Sequence, residues 1–111
     1  MITLSQVYEL LCGAGVPVTY GQFNGPKEDI PDPPYIAYYE TQSKNFGADN
    51  VVYAEQHSIV AELYTSFRRD LALEKKIKRL LTEAGVFYET NHSDIQDEEV
   101  HIAYFEFTVN S

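Results

Sequence analysis

Residues 58–67, Ser-Ile-Val-Ala-Glu-Leu-Tyr-Thr-Ser-Phe, constrain the fold more than any other stretch. Side chains alternate across a strand, so Ile59, Ala61, Leu63, Thr65 and Phe67 share one face and Ser58, Val60, Glu62 and Tyr64 the other. The first face is core. The second sets Val60 and Tyr64 beside Glu62, which suits a surface that meets a partner better than one that only faces water. Just upstream, Asn45-Phe46-Gly47-Ala48-Asp49-Asn50 is rich in turn formers and Val51-Val52-Tyr53 is β-prone, so the whole segment is the middle of a strand-turn-strand unit.

A chain of 111 residues makes one domain, 1–111, able to bury roughly 65% of the surface its unfolded form exposes. Nine Tyr and six Phe without Trp supply that core and leave aromatic surface over, since tyrosine joins a large apolar body to a polar tip. The formal charge of −9 repels nucleic-acid phosphates and anionic membranes, so specific nucleic-acid binding is not expected. The single cysteine, Cys12, admits no intrachain disulfide and is expected as a small buried hydrophobe in a reducing cytoplasm. No apolar run approaches the ~20 residues of a spanning helix, so no membrane partner is expected.

Taken in order, Thr3 opens a first helix, with Gln6 placed for a capping box and Leu4, Val7, Tyr8, Leu10, Leu11 and Ala14 as its apolar stripe. Gly13 or Gly15 ends it. Residues 16–23 make a weak edge strand interrupted by Pro17 and Gly21, and residues 24–34 a proline-rich loop. Residues 35–41 form a strand, 42–50 the hairpin tip, and 51–67 the return, with a bend near Gln56 and His57. A second helix covers 71–84, buried along Leu73, Ile77, Leu80, Leu81 and Ala84 and wet along Lys75, Lys76, Lys78 and Arg79. A short strand at 87–90, an acidic turn region at 91–99 and a strong strand at 101–109 complete the chain. The expected fold is α+β, two helices on one face of a mainly antiparallel sheet, in the order αβββαββ. Residues 10–16 and 80–86 agree at five of seven positions, which two helices sharing one capping solution explain more simply than duplication.

The residues do not assemble a convincing active site. His92, Asp94 and His101, with Asp97, Glu98 and Glu99, carry metal-ligand chemistry, but no i, i+4 pair or known spacing holds them together. Solvated charge is the simpler account, and neither a metal nor another cofactor is expected. Glu62 and Glu106 lie inside apolar runs but alternate outward. The Gly13-Ala14-Gly15 run follows a helix where a phosphate cradle would precede one. No catalytic residue is assigned. Phe46 is the singular feature: an exposed aromatic at a hairpin tip either docks on a partner or folds back on its own sheet.

Pro33-Pro34-Tyr35-Ile36, the 45–50 hexapeptide with Val52-Tyr53, Glu62-Leu63-Tyr64-Thr65, and Ala84-Gly85-Val86 with Tyr88 resemble small structural proteins of tailed phages and prophages of Gram-positive bacteria. The similarity runs over nearly the whole chain and is to the head-tail connection and tail-completion group, akin to tail terminators. It implies a non-enzymatic subunit that forms a ring, commonly a hexamer, and meets head-connector or tail-tube proteins. Its place would be the host cytoplasm during assembly and then the virion tail or head-tail junction. Candidate contacts are Asn45, Phe46, Asp49, Asn50, Tyr53, Val60, Tyr64 and Tyr104. Two other classes stand beside it: an acidic adaptor or inhibitor that imitates nucleic acid for a basic partner, and a small metal-dependent enzyme built on residues 92–101.

Overall fold

The computed structural model describes residues 2–21, 30–48, 51–66, 68–95 and 99–110. It is an α+β fold with two helices and a mixed five-stranded sheet. Leu4–Gln6 form a 3-10 turn that runs into helix α1 (Val7–Cys12). The Thr3 N–H donates to Gln6 Oε1 at 2.9 Å, satisfying an amide at the helix start. Strands β1 (Val18–Tyr20), β2 (Tyr35–Ala48) and β3 (Val51–Ser66) follow, then helix α2 (Leu71–Glu83), β4 (Tyr88–Ile95) and β5 (Val100–Asn110). Asp70 caps α2, its Oδ1 accepting from the Leu73 N–H at 3.0 Å. The matching glycines after the two helices, Gly15 and Gly85, have φ of 82° and 75°, the left-handed turn that β-carbons disfavour.

Strand order is β1-β2-β3-β5-β4. β1 is parallel to β2 and the other three pairings are antiparallel. Register puts Ile36 opposite Leu63 and Leu63 opposite Ala103, and likewise Tyr38, Ala61 and Phe105 in one row. These side chains join Val7, Leu11, Leu73, Ile77, Leu81, Phe107 and Val109 in a single core. Gly13 is where the helices approach: a β-carbon there would meet Leu80 Cδ2 at 3.1 Å.

Several boundaries differ from the sequence expectation. The first strand keeps only Val18–Tyr20; Pro17 stays outside it, and Phe23 lies outside the described residues. β2 runs on to Ala48, so most of the expected tip is ladder. Gln42, Ser43 and Lys44 are all exposed, and polar residues on both faces carry no period-two signal. β3 is continuous through Gln56 and His57, but the ladder is irregular on both sides of them: Thr41 of β2 is the extra residue opposite the Ser58–Ile59 step, and Tyr53 of β3 is the extra residue opposite the Phe46–Gly47 step. The acidic turn expected from residue 91 is strand as far as Ile95: it pairs with β5, and as the edge of the described sheet its polar residues 91–94 stay exposed. Cys12 is exposed, not buried, since it lies on the side of α1 away from Val7 and Leu11.

Candidate functional site

On the sheet face opposite the core, register gathers Tyr35, Ala37 and Tyr39 of β2, Val60, Glu62 and Tyr64 of β3, and Ile102 and Tyr104 of β5. Ala37, Val60 and Ile102 are buried within the chain, while Tyr35, Tyr39, Tyr64 and Tyr104 are half-buried around them. Glu62 is the hub. Tyr64 donates to its Oε1 at 2.9 Å and Tyr39 to its Oε2 at 3.3 Å. Tyr64 also stacks on Tyr35, with centroids 4.7 Å apart. Beside this layer, Thr41, Gln42, Ser58, Glu106 and Thr108 help line an open groove of about 720 Å³, edged by Phe87, which is 94% exposed. Phe87 was expected in a strand; instead it precedes β4 and stands out as the most exposed large apolar residue among those described.

Burial raises the Tyr64 pKa above the ordinary phenol value, and the Glu62 hydrogen bond and charge raise it further. Tyr39 shifts the same way, by burial first and Glu62 second. A raised folded-state pKa holds its stabilising contribution below the unfolded value of ~10 and loses it as pH climbs toward the folded value. In a pH series followed by circular dichroism, the wild-type chain is therefore expected to lose stability above about pH 10, and Tyr64→Phe to lose it with a shallower slope.

The hairpin β2–β3 outreaches the sheet. Among the described residues, β3 pairs with β5 from Gln56 to Ser66, and those of β3 before Gln56 pair with β2 alone. Asn45 faces Glu55 and Phe46 faces Ala54 in this two-stranded arm, which also carries Tyr53. The backbone thus places Asn45, Phe46 and Tyr53 on the arm, whereas Asp49 and Asn50 lie outside the described residues. The molecule measures 52 × 30 × 23 Å, with a radius of gyration of 15.3 Å against about 13 Å expected for a compact domain of this length.

A second cluster lies where the start of α2 meets the β4–β5 edge. Glu74, His92 and His101 each place a ligand atom within 4.8 Å of the others. His101 is buried and His92 exposed, and their Nε2 and Nδ1 atoms are 3.1 Å apart. Asp94 Oδ1 sits 2.6 Å from His101 Nδ1 and fixes that nitrogen as the protonated one. The Glu74 side chain is 2% exposed and takes two bonds from Arg69, Nε to Oε2 at 3.2 Å and a terminal nitrogen to Oε1 at 2.9 Å. Burial would push the Glu74 pKa up, but the Arg69 bonds and charge, with His92 and His101 behind them, outweigh it and hold the carboxyl below its usual range. Burial, then the Arg69 charge, lower the His92 pKa.

Of the six residues considered for metal binding, His92, Asp94 and His101 are brought together. Glu99 sits in a turn at φ 53° and is not in the cluster, and Asp97 and Glu98 lie outside the described residues. Glu74 was missed, although its place among Leu73, Ile77 and Leu81 puts a carboxylate in the apolar stripe of α2. A third histidine, His57, is also buried, with Nδ1 2.6 Å from Glu40 Oε1. Among the described residues no helix is long and apolar enough to cross a membrane. No protein-family profile matches the chain, and no curated protein matches it either.

Proposed function

We propose that the chain is a virion assembly subunit of a tailed phage or prophage, a tail terminator or head-tail joining protein that closes into a ring and meets connector or tail-tube proteins. The two-stranded arm carries this proposal. An isolated hairpin ribbon is marginal in water, and among the described residues no third strand pairs with this one beyond Gln56, so docking on a neighbouring copy would complete it. The tyrosine face supplies the second surface. In this arrangement both helices lie on the core side of the sheet and leave Tyr35, Tyr39, Tyr64 and Tyr104 outward, with Phe87 beside them; aromatic side chains of this kind anchor interfaces. The surplus of acidic residues suits a lumen through which DNA passes without adhering.

A shortened arm tests it. Replacing residues 46–54 with an Asn-Gly turn keeps Asn45 opposite Glu55 and removes the arm's end. The expected variant keeps a melting temperature within about 4 °C of wild type, since the core loses nothing, yet runs as a monomer in light scattering. A variant that still forms the wild-type particle would remove the arm from assembly. A wild-type monomer that instead binds a basic DNA-binding protein would favour the acidic adaptor.

A further inference from the structure

We infer that Glu74, His92 and His101 form a binding site for one zinc-class divalent cation, which fastens the first turn of α2 to the β4–β5 edge. The donor set is the first argument. Two imidazoles and a carboxylate are ordinary zinc ligands, and a three-residue site leaves a fourth position for water on the exposed His92 side. Geometry is the second. Two nitrogens each 2.0–2.1 Å from one tetrahedral ion stand about 3.3 Å apart, and those of His92 and His101 stand at 3.1 Å.

Orientation is the third argument. Asp94 holds the Nδ1 proton of His101, so the Nε2 lone pair points into the cluster, in the carboxylate-histidine arrangement that orients metal ligands. Without metal, His92 Nδ1 donates its proton to that lone pair. On binding, the ion takes the proton's place between the two rings, and His92 carries its proton on Nε2, which lies 4.0 Å from Glu74 Oε1. Arg69 pins both Glu74 oxygens, and its positive charge opposes the cation and limits affinity.

The test uses the full, untagged chain, stripped with EDTA and titrated with zinc by calorimetry and with cobalt by visible absorption. One equivalent per chain is expected, with the strong cobalt bands of a four-coordinate site and a melting temperature raised by about 10 °C at a hundredfold excess of zinc over Kd. His92→Ala, at an exposed position, is expected to fold as wild type without metal and to lose the bound equivalent. Asp94→Asn, which touches no metal, is expected to weaken binding about 10–100-fold. Absence of saturable binding by wild type, or retention of the full equivalent by His92→Ala, would overturn the site.

Discussion

Phe105→Ala is expected to cost about 3–5 kcal/mol, the largest loss from any single truncation considered. Phe105 is 1% exposed and lies in the central row of the sheet, opposite Ala61 on one side and Thr90 on the other. Ala61 and Ala103 around it are too small to fill the space a phenyl ring leaves, so the cavity persists and its walls lose dispersion contacts. The corresponding fall in melting temperature, at roughly 4 °C per kcal/mol for a domain of this size, is 12–20 °C, read by circular dichroism or calorimetry. A loss below about 1 kcal/mol would mean that the core closes on itself around another residue.

Arg69→Ala, measured in EDTA, is expected to cost about 2 kcal/mol because it leaves the buried Glu74 carboxylate without its two charged donors. The Arg69 side chain is 45% exposed, so water takes up part of its role and the cost falls short of a fully buried pair. Adding Glu74→Leu should restore stability to within about 1 kcal/mol of wild type, since an apolar side chain then completes the stripe of Leu73, Ile77 and Leu81. Equal destabilisation by the single and double changes would show that Arg69 acts through its aliphatic stem, not through Glu74.

Much of this architecture was legible in the chain because its strongest signals are periodic. The alternation from Ile59 to Thr65 and from Ala103 to Val109 placed β3 and β5 and named their core faces. The 3.6-residue spacing of Leu73, Ile77 and Leu81 and the glycine at position 85 bounded α2. Strands hidden by polarity were harder. Gln42 to Lys44 and Asn91 to Asp94 are ladder residues of two hairpins, and exposed side chains on both faces erase the alternation that would reveal them. The cluster was hidden for a related reason: Glu74 reaches His92 and His101 only after α2 is laid beside the edge hairpin, and no local spacing encodes that approach. Of the surface residues singled out, Val60 is covered within the chain itself, whereas Tyr64 and Tyr104 remain partly open.

The central claim is that this polypeptide works by joining copies of itself through the extended hairpin and the tyrosine face. The mass of the untagged wild-type particle, measured by light scattering across a hundredfold range of concentration, tests it most directly. The expected result is a discrete closed assembly, a whole-number multiple of the single chain near six, that persists on dilution and is absent when residues 46–54 are replaced. A chain that stays at its single-copy mass at every concentration would contradict it.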